Sequence, residues 1–388
     1  MSHPVFLWTG ALRMTAGALL AAGLAGCSML PSFLGGAGSE RPKPAELAAN
    51  PALIGVRQAW SLRLPEIAFP LVLNVTGGTV HVAGGDGTVV AVEGVSGREQ
   101  WRGSAGAPLA AGVGSDGRLA AVVTRANEVV ALDAGKVLWR QKLAAQSYTA
   151  PLVAGGRVFV LAADRSVAAF DGQTGRRLWT QQRPGEPLVL RQSGVLLAVG
   201  DTLVAGQAGR MAGLNPNNGS IRWEAPLAVA RGTNDIERLV DLVGSVSRAG
   251  NTVCARAFQS SVGCVDTGAG TVTWTRPANG AEGLSGDEQN LYGTETDGKV
   301  MAWRRDSGER AWMTERLAYR GLTAPLVIGR SVVVGDSTGF AHFLSREDGS
   351  LLDRAATDGS AIAAAPVRVG ETLVVATRRG GVYGFVPQ

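Results

Sequence analysis

Histidine and cysteine are almost missing from this chain: three of each occur in 388 residues. His3, His81 and His342 stand far apart, so no imidazole pair is at hand for acid–base work. Cys27, Cys254 and Cys264 make no Cys/His cluster with metal-ligand spacing. Nucleophile elbow, phosphate loop and His-Glu-x-x-His motif are all absent. The formal charge of +5 is scattered through turns rather than gathered in a basic run, which argues against a nucleic-acid partner. The apolar run from Met14 to Gly23 is too short to span a bilayer. What remains is a chain 45% hydrophobic and 18% charged, able to build a sizeable core.

That core is announced by a repeat. Trp60, Trp101, Trp139, Trp179, Trp223, Trp274 and Trp312 follow one another at intervals of 38 to 51 residues. Forty residues beyond Trp312, Leu352 stands where an eighth Trp would be. The plainest copy is Val167 to Trp179: an apolar strand, a polar turn ending in glycine, and a second strand ending in Trp. The apolar residues alternate with period two, not 3.6, so the unit is made of strands. About forty residues of short strands, repeated eight times, is the pattern of a propeller. The chain is therefore expected to be all-β, an eight-bladed β-propeller of four-stranded antiparallel blades. Each Trp should fill the wedge between neighbouring blades. Pro-Leu-Val, as at Pro151-Leu152-Val153, marks the start of an innermost strand, where the missing N–H of proline costs nothing.

Residues 55–60 form a lone Trp-ending strand, and Gly381 to Phe385 ends the chain without one. The two fragments complement each other, so the N-terminal strand is expected to join the C-terminal strands and close the ring. His81 and Trp303 fall on alternating strands and are read as core. Asp133, Asp171 and Asp266 recur at one place in the unit and are read as turn caps. Cys254 and Cys264 flank a hairpin centred on Gln259. A three-residue turn would put them opposite each other, and a two-residue turn would offset them to opposite faces, so a disulfide is open at this point.

Two units depart from the pattern. In the fourth, Leu188, Leu190 and Arg191 place apolar surface beside a cation, a fair anchor for a protein partner. In the fifth, the stretch 231–241 interleaves charges with Ile236, Leu239 and Val240, and charged insertions on a regular scaffold are where function tends to reside.

Ahead of the repeats, Leu24-Ala25-Gly26-Cys27 resembles a bacterial lipobox, with Cys27 the residue that takes lipid. Residues 1–26 are read as its signal peptide and 27–54, rich in Ser, Pro, Gly and Ala, as a flexible tether. The propeller occupies 55–388. Ser28 after the cysteine looks like an outer-membrane address on the periplasmic face.

The Ala-x-Asp-x-x-Thr-Gly-x-x-x-Trp unit, clearest from Ala169 to Trp179, resembles the repeats of pyrroloquinoline quinone dehydrogenases. That likeness covers the scaffold: the adjacent cysteines common in those enzymes are missing, and no cofactor is expected. A quinone-dependent dehydrogenase or other cofactor-binding propeller is the alternative. Lipobox, tether and eight repeats together resemble the BamB family, lipoproteins of the outer-membrane β-barrel assembly machine. Two stretches carry the likeness further: Leu188, Leu190 and Arg191, and Ile236-Glu237-Arg238-Leu239-Val240-Asp241, where Glu237 replaces the family's usual Asp. The resemblance implies a non-catalytic scaffold, with Leu188, Leu190, Arg191, Glu237, Arg238 and Asp241 contacting the periplasmic POTRA domains of BamA, and with nascent outer-membrane proteins as clients.

Overall fold

In the computed structural model, residues 42–183, 188–229 and 239–388 are described. Among them are thirty-two strands and no helix, arranged in eight four-stranded antiparallel sheets. Blades one to seven are continuous in sequence, spanning 74–104, 109–142, 152–181, 196–226, 242–277, 284–314 and 326–356. Blade eight takes three strands from 367–387 and its outermost from Val56–Arg63, paired from Val56 opposite Pro387 to Arg63 opposite Gly381. The expected closure is therefore the observed one. Blades one to seven pair in sequence order from the axis outward, and in blade eight the first strand of the propeller takes the outer place. Antiparallel order then puts the connections between blades on the same face of the disc as the turns joining second and third strands. The remaining turns lie on the opposite face.

The Trp residues join successive blades. Trp60 lies flat on Gly97 in the next blade, where an added Cβ would come within 2.5 Å of the indole. Gly97 has φ +72°, so both its backbone and its missing side chain are required. Indole Nε1 donates to a carbonyl of the next blade in the same way from Trp60 to Gly94 (3.1 Å), Trp139 to Gly172 (2.9 Å), Trp179 to Pro216 (3.0 Å), Trp274 to Arg305 (2.8 Å) and Trp312 to Arg346 (2.8 Å). Packing and a satisfied polar handle thus come from one side chain.

The same relation explains Leu352. The turn on which a Trp would rest joins the third and outer strands of the next blade. In blade eight that turn does not exist, because the third strand ends at Pro387 and the outer strand starts at Val56. The end of the third strand and the start of the outer strand meet there instead, Gln388 donating its N–H to Gly55 O.

His81 is buried, 3.3 Å from Ser115 Oγ, and burial lowers its pKa to about 4. Trp303 is buried as expected. Asp171 and Asp266 accept backbone N–H groups of their own turns, but Asp133 does not. Its hairpin is the tighter Ala134-Gly135, both at positive φ, and its carboxylate lies 3.5 Å from Arg118. Cys254 and Cys264 are direct partners across a three-residue turn, with sulfurs 1.99 Å apart and both side chains buried.

One expectation fails. A flexible tether to residue 54 is not what the chain forms, because from Lys43 onward it is docked. Ala45 N–H donates to Ala318 O (2.9 Å), Arg320 Nη1 donates to Ala45 O (3.0 Å), Asn50 Nδ2 donates to Asp353 (2.8 Å) and Leu53 N–H donates to Leu352 O (2.8 Å). Leu47 and Ile54 pack against the buried clusters on either side of blade seven. This arm crosses the outer strand of blade seven from the connection face to the opposite face, then reverses into Val56–Arg63. Residues 1–41, with Cys27, lie outside the described residues.

Candidate partner-binding site

The site begins with an arginine in the wrong kind of turn. Five sister turns between second and third strands use glycine at positive φ, at Gly87, Gly209, Gly298, Gly339 and Gly380, while blades two and five use the polar residues Asn127 and Gln259. Blade three uses Arg165, at φ +65°. A side chain there is uncommon and marks a position held for another reason. Arg165 is buried, and its Nη2 donates to Leu188 O (3.2 Å) and lies 3.7 Å from Asp241 Oδ1.

Asp241 closes the arrangement from the blade-five side. Its Oδ2 accepts the Leu190 N–H at 3.0 Å. Burial raises its pKa, against the opposing pull of that N–H and of Arg165. The loop is fastened at further points: Gln192 Nε2 donates to Ala281 O (2.7 Å), Gly194 N–H to Thr149 Oγ1 (2.9 Å), and Gly244 N–H to Ser193 O (2.9 Å).

So held, residues 188–194 form no long strand, and the first inner strand of blade four starts only at Leu196. Leu188 is 39% exposed, Leu190 is half-buried and Arg191 is exposed, with its guanidinium 5.8 Å from the Tyr148 ring centre. The structure therefore brings Leu188, Leu190, Arg191 and Asp241 into one region on the connection face. Asp241 serves it from inside the protein rather than as an open contact, because its oxygens are already used by Leu190 and Arg165. Ile236, Glu237 and Arg238 lie outside the described residues. Sequence reasoning missed Arg165 and Tyr148. The first left a trace, an arginine where most sister turns carry glycine, and the second left none.

Among the described residues no group of three or more His, Cys, Asp or Glu side chains is arranged to hold a metal. Fold and site together define a repeat-built eight-bladed propeller that displays a braced, exposed loop on one face.

A family model described as outer membrane protein assembly factor BamB matches residues 85–314. The BamB of Bordetella pertussis is 36% identical over 98% of this chain and 97% of its own length. That of Burkholderia pseudomallei is 38% identical over 90% of this chain and 92% of its own. The crystal structure of BamB from Moraxella catarrhalis superposes with a TM-score of 0.77 at 26% identity, covering 85% of this chain and 99% of that one. The chain belongs to the BamB family. A quinohemoprotein alcohol dehydrogenase from Comamonas testosteroni also superposes, with a TM-score of 0.66, but at 16% identity it shares the fold alone.

Proposed function

We propose that this protein is a non-catalytic scaffold of outer-membrane protein assembly, held at the periplasmic face of the outer membrane by lipid on Cys27. Its 188–191 loop binds the POTRA domains of BamA, and its clients are nascent outer-membrane proteins. The observation that carries the reading is the brace: a carboxylate and an arginine, both drawn into the protein, fix an exposed Leu-x-Leu-Arg loop on a rigid disc. A loop fixed before contact loses little entropy on binding. Leu190 offers apolar area and Arg191 a planar fork for carbonyls or carboxylates. Asp241 meets this loop at the Leu190 N–H, and Glu237 and Arg238 are included in the proposed surface on the family likeness.

The test is capture of a purified POTRA fragment by the propeller. Leu190→Ala combined with Arg191→Ala should weaken it about thirtyfold, the scale of a lost central anchor, with an unchanged melt. Unchanged capture would place the partner surface elsewhere on the disc. Cys27→Ala should release the protein from membranes into a soluble periplasmic fraction.

A further inference from the structure

The axis of the disc opens on the connection face into a cavity of about 710 Å³ to which all eight blades contribute. That volume lies within the range of specific ligand sites, roughly 300–1,000 Å³. Its walls are the first residues of the inner strands, mostly Pro, Leu, Val, Ala, Gly and Ser. Each inner strand pairs with only one neighbour in its own sheet; Val72, Gly112 and Val113 bond between blades one and two, and Gly244 bonds Ser193, while the other inner-edge N–H and C=O groups are left toward the axis. Among the described lining residues, three are charged: Arg191, Glu282 and Arg378.

These three come from different blades. Arg191 lies in the connection from blade three to blade four, Glu282 precedes the inner strand of blade six, and Arg378 sits in a turn of blade eight. Arg378 Nη1 donates to Ile67 O at 3.3 Å, which leaves the rest of its fork for the cavity. Arg191 has only the Tyr148 ring as a described neighbour for its guanidinium. Burial pushes the Glu282 carboxyl up to about 7, although Arg378 and Arg256 pull it the other way. The mouth is therefore lined by two guanidinium groups against one carboxyl.

We infer that this axial mouth is a second recognition site, which adjoins the Leu190 surface and shares Arg191 with it, and that it takes an extended acidic peptide segment whose carboxylate is held by Arg378 and Arg191. The excess positive charge selects the carboxylate. The backbone groups of the inner strands suit an extended chain, and the small side chains leave room for only a few residues of it. Glu282 limits the site to one carboxylate by repelling a second.

Two fluorescein-labelled hexapeptides of glycine and serine test this, one with a central aspartate and one with asparagine, titrated against the full-length protein. The aspartate peptide should bind at least about tenfold more tightly. Arg378→Gln should abolish that preference and Arg378→Lys should keep most of it, with Glu282→Gln leaving it intact or strengthening it. Equal binding of the two peptides overturns the inference, as does a preference that survives Arg378→Gln. If Arg378→Gln lowers the melting temperature, Arg191→Gln serves as the second variant, and a preference that survives it also overturns the inference. POTRA capture separates the two sites: Arg378→Gln should leave it unchanged, and Leu190→Ala should weaken it without touching peptide preference.

Discussion

Asp241 holds Leu190 by its backbone: the carboxylate accepts the Leu190 N–H at 3.0 Å across 51 positions of sequence, while Arg165 reaches Asp241 and the Leu188 carbonyl together. Three blades thus share one small network, and the loop's shape depends on groups set behind it.

Asp241→Ala is therefore expected to weaken POTRA capture by about tenfold, the scale of one charged hydrogen bond of about 1.5 kcal/mol. Arg165→Ala should do about the same. Because both act through the loop, the double variant should be little worse than either single one. Calorimetric titration of the two singles and the double decides it. Fully additive losses would mean that the two residues act separately.

The docked arm sets a second expectation. A chain beginning at Lys43 should melt like the longer one. A chain beginning at Gly55 should melt several degrees lower, since it loses the Ala45, Asn50 and Leu53 contacts and uncovers blade seven. Scanning calorimetry on the two truncations compares them, and equal melting points would show that the arm adds nothing to the ring.

Trp274 is buried and joins blade five to blade six through Arg305 O. Trp274→Ala should cost about 3–5 kcal/mol, as large aromatic truncations in cores do. Trp274→Phe keeps most of the wedge and loses the hydrogen bond, for about 1 kcal/mol. Denaturant unfolding of both variants measures the difference, and equal losses would deny the indole N–H any part.

The last expectation concerns acid. Asp336 is fully buried between Arg320 (2.8 Å) and His342 Nε2 (2.9 Å), and its Oδ1 accepts the hydroxyl of Thr338. Burial alone would raise its pKa, but the bonds from His342, Phe340 N–H and Arg320 prevail and hold it well below the usual carboxylate range. Burial lowers His342, so that it is neutral near pH 7. Arg354 is the further charge acting on this cluster. A carboxylate depressed on folding stabilises the protein above its unfolded value of about 4 and loses that contribution as pH falls through the folded value. The melting temperature should therefore begin to fall below about pH 6.5, where buried His81 and His342 oppose protonation, and fall further below about pH 4 as Asp336 is forced to protonate. Asp336→Asn should lower it at pH 7, breaking a buried pair worth about 3–5 kcal/mol, and flatten the acid slope. An acid slope as steep in the variant as in the parent would assign the effect to other carboxylates.

The ring was legible because its signal is large and periodic. One Trp per unit both packs and bonds, so its spacing reports blade number directly, and the absence of a Trp at Leu352 marks the seam. The 188–191 loop was legible as a departure from the repeat that sets two leucines beside a cation, but Leu188 and Leu190 alone also fit a core strand, and family likeness gave the departure its meaning. The brace was hidden because Arg165 lies 76 residues before Asp241, and nothing local couples them. The arm was misread for a different reason. Its backbone groups and a few side chains do the holding, while its alanines and prolines give the composition of a linker. Asp133 misled because the turn after it is shorter than its sisters.

The arm also decides where a mechanical load would fall. The strand that closes the ring is the one nearest the N-terminus, so tension applied there would pull directly on the last seam. Because residues 45–53 cross blade seven first, that tension meets Arg320 and Ala318 before it reaches Val56 and Pro387. Arg320 is itself tied to buried Asp336, so the pull is passed into the body of blade seven. The arm would yield before the closing strand does, so that strain would peel residues 45–53 from blade seven while the ring stayed shut.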